Sequence, residues 1–95
     1  MACYIHIMAS ARNGTLYVGV TNDLVRRVHE HRAGIVEGFT SKYDVKIPVH
    51  FEICEDVETA MRRETRLKEW PRSWKLHLIE KGNPLWRDLY EEIAR

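Results

Sequence analysis

Asn13-Gly14 stands between two β-rich runs, "CYIHIMA" at 3–9 and "TLYVGV" at 15–20. Asn-Gly supplies the two positive-φ residues of a tight hairpin turn, so the pair predicts two adjacent antiparallel strands. An unbulged two-residue turn pairs Arg12 with Thr15, Ser10 with Tyr17 and Met8 with Gly19. Directly opposed residues share a face of the sheet. One face then carries Cys3, Ile5, Ile7, Ala9, Leu16, Val18 and Val20 and reads as the core side. The other carries Tyr4, His6, Met8, Tyr17 and Gly19. A glycine weakens a strand but lets another group approach the sheet, so Gly19 marks a place of close approach.

The rest of the chain adds one strand and several helices. Thr21, Asn22 or Asp23 can cap a helix to about Arg32, with Gly34 just past its end and Leu24, Val25 and Val28 as its apolar stripe. Arg27 and His31 are four apart and flank that stripe. Residues 34–48 lack periodicity, and "EGFTSKYDVKIP" reads as a functional or mobile loop. "VHFEIC" at 49–54 alternates as a third strand. A helix over 57–70 has Ala60, Met61 and Leu67 as apolar positions, and another runs from about Ser73 to Lys81. Asn83 then caps a fourth, with Pro84 at its first position and Leu85, Trp86, Leu89, Tyr90 and Ile93 at helical spacing. The order is β-β-α-β-α-α-α. It predicts an α/β (α+β) domain in which a small, largely antiparallel three-stranded sheet packs with helices.

The 95 residues make one domain, 1–95, with one modest core and no room for a second. Nothing reaches the roughly 18 consecutive apolar residues of a membrane span, and no secretory signal opens the chain. Cys3 and Cys54 lie in apolar runs and read as buried free thiols, so the expected compartment is the cytoplasm. Trp70, Trp74 and Trp86 read as core anchors. Net charge is only +1, yet the basic residues cluster. Arg26, Arg27, His29, His31 and Arg32 form one group, and Arg62, Arg63, Arg66, Lys68, Arg72 and Lys75 another. Either they are two solvated helix faces, or they meet in one groove and attract phosphate.

Glu64 stands apart. It lies four after Ala60 and three before Leu67, which puts a carboxylate on an apolar stripe. A desolvated carboxylate needs a cation, either an arginine such as Arg27 or a metal ion.

Ala2-Cys3-Tyr4, followed by Tyr17-Val18-Gly19, resembles the two half-motifs that name the GIY-YIG nuclease superfamily. "YVGVTNDLVRR", a glutamate on the next helix and "NPLWRDLY" extend the resemblance over essentially the whole chain. The similarity is to the small, single-domain bacterial branch, related to the N-terminal nuclease domain of the excinuclease C protein. It implies an antiparallel three-stranded sheet and phosphodiester hydrolysis with one divalent metal ion, Mg²⁺ or Mn²⁺. Position by position, Tyr4 and Tyr17 match the motif tyrosines, Gly19 the last motif glycine, Arg27 the helix arginine and Glu64 the metal-binding glutamate. His31 matches a histidine found in part of the superfamily, and Asn83 a late asparagine that supports the site. Val20 stands where several relatives have lysine, and Lys42 is a substitute for it in lowering a phenol pKa.

The function that follows from the resemblance is a metal-dependent endonuclease acting on DNA, in repair or recombination. Arg26, Lys42 and Arg63 are candidates for contacting the substrate. A chain this short carries no separate targeting domain, so a homodimer or a targeting partner protein would supply specificity. The alternative is a nucleic-acid-binding module that keeps the fold without turnover.

Overall fold

Cys3–Ala9 (β1) is the middle strand of an antiparallel sheet, with Leu16–Thr21 (β2) on one side and Ile47–Cys54 (β3) on the other. The structure is a computed structural model that describes residues 2–35 and 38–94. Within β1 only Tyr4 is not fully buried. A β-branched and apolar run covered on both faces suits such a central strand.

The β1–β2 hairpin forms, but its turn is longer than Asn-Gly predicts. Ser10 and Thr15 close a four-residue loop. The Ser10 N–H donates to the Thr15 carbonyl at 3.0 Å, and the Thr15 N–H donates to Ser10 Oγ at 2.9 Å. Asn13 takes positive φ (58°), while Gly14 does not. The tight turn needs positive φ at both positions, so it is not made. Gly14 serves sterically instead, because a Cβ there would meet the Ser10 hydroxyl. The register therefore moves by two, with His6 opposite Gly19, Met8 opposite Tyr17 and Tyr4 opposite Thr21. A shift of two keeps every side chain on its expected face.

Leu24–Arg32 (α1) is capped by Asp23, whose carboxylate accepts the Arg26 N–H at 3.2 Å, and ends before Gly34 at φ 72°. Val25 is exposed, and His31 joins Leu24 and Val28 on the buried stripe. Phe39–Lys42 (α2) is a single helical turn inside the stretch expected to be a loop. Val36 and Glu37, in or beside that stretch, lie outside the described residues. Val57–Glu69 (α3) is capped by Asp56, and Arg72–Gly82 (α4) follows. The expected fourth helix from Asn83 is reduced to Tyr90–Ile93 (α5).

Residues 83–89 instead wrap the edge of β3. The Asn83 side-chain amide donates to the Val49 carbonyl at 3.2 Å and the Arg87 carbonyl at 2.9 Å, and its oxygen accepts the Arg87 N–H at 2.9 Å. The Leu89 N–H donates to the Pro48 carbonyl at 2.9 Å. The helix-like spacing of apolar residues here serves a strap, in which Trp86 packs on one face of the sheet and Tyr90 and Ile93 on the other.

Two apolar clusters result, where the sequence predicts one. Ala60, Leu67, Ile79 and Trp86 cover Cys3, Ile5, Ile7 and Val18. Leu24, Val28 and Val45 cover Met8, with Tyr4, Tyr17, Phe51, Tyr90 and Ile93 at the margin. Three strands are narrow enough for helices on both faces to share one central strand. Met61 and Trp74 lie outside these clusters at 55% and 57% exposure. Trp74 packs edge-on against Trp70. Cys3 is buried, Cys54 is half-exposed, and both are free thiols.

Candidate functional site

Tyr17 projects from the face of β2 covered by α1, where it meets two histidines. Its ring centroid lies 6.2 Å from that of His6 and 5.4 Å from that of His31, and the two imidazoles are 6.1 Å apart. Gly19 makes the approach possible. A Cβ there would fall 2.9 Å from His6 Cε1 and Nε2 and 3.0 Å from Tyr17 Cε2, closer than packed side chains allow. The short helix α2 buttresses the group. Phe39 stacks on Tyr17 at 6.3 Å, and Thr40 Oγ1 shares a 2.9 Å hydrogen bond with His31 Nδ1.

Both histidines are neutral at neutral pH. Burial, with the charges of His31 and Arg27 adding to it, lowers His6 from 6.5 to about 3. Burial also lowers His31, reinforced by Arg27 and opposed by Glu30. His6 Nδ1 and His31 Nε2 are buried without a hydrogen-bond partner among the described residues. Arg27 is half-exposed, with Glu30 4.0 Å away. It opens onto a polar cleft of 340 Å³ lined by Thr21, Asn22, Asp23, Arg26, Arg27 and Glu30. A larger groove of 780 Å³ on the outer face of α3 includes none of the candidate residues. It carries Arg62 and Arg66 beside Glu58, whereas the polar cleft sets Arg26 and Arg27 beside Asp23 and Glu30.

The other candidates are dispersed. Tyr4 lines a separate groove with Leu24, Phe51 and Ile53 and makes no ring contact with Tyr17. Glu64 lies between Ala60 and Leu67 on α3, which packs on the opposite face of the sheet from α1. Its ion-pair partner is Lys68 at 3.6 Å rather than Arg27, because the sheet separates the two helices. Asn83 sits at β3, on the far side of β1 from Tyr17. Arg26 is exposed and paired with Glu30. Lys42 lies over the Tyr43 ring at 5.5 Å, at the end of the helix that supports Tyr17. Arg63 makes two 3.0 Å hydrogen bonds to Glu52, whose pKa is held at about 2 by His50 and Arg63. The two basic clusters thus sit on opposite faces instead of meeting in one groove.

A single carboxylate at 22% exposure, with one long ion pair to a half-exposed lysine, can turn toward solvent. That donor fits a hard, strongly hydrated cation whose remaining ligands are water and phosphate oxygens. Among the described residues no group of three or more acids, histidines or cysteines could hold a metal ion.

His6 is the site residue that sequence reasoning missed. The two-residue turn put Met8 opposite Gly19 and left His6 two positions away. The four-residue loop brings His6 there. The legible signal was a histidine in the middle of a strand, on the same face as Gly19 and Tyr17.

The fold and site define a small α+β domain in which a tyrosine and a histidine pack at one strand glycine, with a second histidine and an arginine supplied by α1. The model of the GIY-YIG catalytic domain family matches residues 2–77, and the chain belongs to the GIY-YIG domain family. Among relatives, a UPF0213 protein of Haloquadratum walsbyi is 34% identical over 82 residues, 86% of this chain and 91% of that one. A UPF0213 protein of Pseudomonas aeruginosa is 30% identical over 94% of this chain and 85% of its own length. The solution NMR structure of a UPF0213 protein from Bacillus halodurans superposes with a TM-score of 0.58 at 26% identity, covering 93% of each chain. Its three-stranded antiparallel sheet with helices is the fold described above.

Proposed function

We propose that this chain is a divalent-metal-dependent endonuclease that hydrolyses phosphodiester bonds in DNA, serving repair or recombination in the cytoplasm. The observation that carries the reading is the Tyr17 site, in which a phenol and two neutral imidazoles form a three-ring cluster and the Arg27 charge acts on both imidazoles. Arg27 can grip a phosphate through its planar fork and balance the charge that develops on it. Tyr17 is the candidate to take the proton of the attacking water. His31, neutral and anchored to Thr40, can take a proton at one ring nitrogen as it releases the proton on the other. Glu64 would hold a single Mg²⁺ or Mn²⁺, which when bound polarises a phosphate oxygen as a Lewis acid. β2 is an edge strand, so a phosphodiester chain laid along it is open to groups from both faces of the sheet. That supports a shared role for Tyr17 and Glu64 despite their separate faces. Sequence specificity would come from a second copy or a targeting partner.

The test is a panel of labelled single-stranded, duplex and branched DNA, and matching RNA, incubated with Mg²⁺, Mn²⁺ or EDTA. The reading expects metal-dependent cleavage of DNA. Binding without cleavage under every metal condition would replace the enzyme with a binding module, and cleavage of RNA alone would overturn the substrate.

A further inference from the structure

We infer that His6 is the positioning residue for Tyr17, an aromatic wedge that stands where the first half-motif places its tyrosine. Three observations carry this. The ring fills the space left by Gly19 directly across the β1–β2 pair, with Tyr17 Cε2 against the same point. It is 1% exposed, so it reaches no substrate itself and acts through the ring beside it. Its Nδ1 is buried with no partner among the described residues. A buried polar atom left unpaired costs stability, so packing alone favours an apolar side chain at position 6. The letters agree. Tyr4-Ile5-His6 keeps the central isoleucine of a Gly-Ile-Tyr triplet, while Ala2-Cys3-Tyr4 keeps only the tyrosine, and Tyr4 lies away from Tyr17. Tyr17 from β2, with Arg27 and His31 from α1, are the titratable groups around the ring. Kept neutral by burial, the imidazole adds no charge against Arg27.

The kinetic part of this inference rests on the nuclease reading, and the spectroscopic part does not. The experiment compares wild type, His6→Leu and His6→Tyr. Leucine fills much of the volume without a ring, and tyrosine restores a polar aromatic. His6→Leu should fold and lose the nuclear Overhauser contacts between the Tyr17 and His31 rings. Its kcat on labelled DNA should fall about 100-fold with KM within about twofold, because a small misplacement of a reacting group costs that much. His6→Tyr should keep the ring contacts and recover most of kcat. If His6→Leu does not fold, His6→Gln serves as the ringless variant with the same expectations. Ring contacts and kcat in the ringless variant equal to those of wild type would overturn the inference and leave His6 as core filling. If wild type cleaves nothing, the nuclease reading fails, and the Tyr17–His31 contacts alone decide the role of His6.

Discussion

His6 and Gly19 face each other across the β1–β2 pair so closely that a single methyl group on Gly19 would sit 2.9 Å from the imidazole. The glycine is therefore part of the site's geometry, because it sets how near the rings of His6 and Tyr17 lie to the sheet.

Gly19→Ala should crowd two packed rings at once, neither of them a flexible chain end. Overpacking of this kind costs about 1–3 kcal/mol. Urea unfolding of the variant should show that loss, and the Tyr17–His31 ring contacts should weaken. An alanine variant with wild-type stability and intact ring contacts would mean that the rings can retreat freely.

The pH dependence of stability has a sign fixed by the buried histidines. Folding lowers the pKa of His6 from 6.5 to about 3. Below 6.5 the unfolded chain thus binds the proton that the folded chain refuses. The contribution is full above about pH 6.5 and is lost as pH falls toward 3, by up to about 1.4 kcal/mol per pH unit for one such proton. His31 acts in the same direction. Glu52, ordinarily 4.5 and held at about 2, loses its contribution only at lower pH, so the interval from 6.5 to 4.5 isolates the histidines. Urea unfolding at pH 7 and pH 5 should show a marked fall in wild type and a shallower one in His6→Leu. Equal slopes in the two proteins would contradict the burial of a neutral His6.

Asn83→Ala removes three hydrogen bonds that tie the strap of residues 83–89 to β3 and to itself. The buried Val49 carbonyl then loses a donor, at about 1–3 kcal/mol for a group left unsatisfied, while the Arg87 N–H and carbonyl, on an exposed residue, can turn to water. Amide exchange should accelerate at Arg87 and Leu89 first. Unchanged protection there would show that Trp86 and Leu89 hold the strap without the asparagine.

Much of this architecture was legible in the chain. The alternation of residues 3–9 and 15–20 identifies the strands and their faces, since side-chain parity survives a register shift of two. The register itself was not legible, because Asn-Gly suits more than one loop and the choice depends on the Ser10 hydroxyl meeting Thr15. The helical spacing of Trp86, Leu89, Tyr90 and Ile93 predicts a helix where the strap of residues 83–89 lies. That spacing also suits a segment crossing the edge of a sheet, and the Asn83 side chain satisfies backbone groups there that a helix would pair. Arg27 and His31 are on one helix, and their proximity to the Tyr17 face follows from α1 packing on that face. Which arginines are free was not readable, because Arg63 is held by Glu52, a partner on another element.

Metal-dependent cleavage by wild type and Glu64→Gln, read beside their thermal melts, tests whether the chain is a metal-dependent nuclease. The substitution removes a 3.6 Å pair with the half-exposed Lys68, worth about 1 kcal/mol or less. The two proteins should therefore melt within a few degrees of each other. Wild type should cleave DNA with Mg²⁺ or Mn²⁺ and stop with EDTA, and Glu64→Gln should be slower by about a thousandfold or more under the same conditions. A folded Glu64→Gln protein that cleaves at the wild-type rate, or a wild type indifferent to EDTA, would contradict the claim.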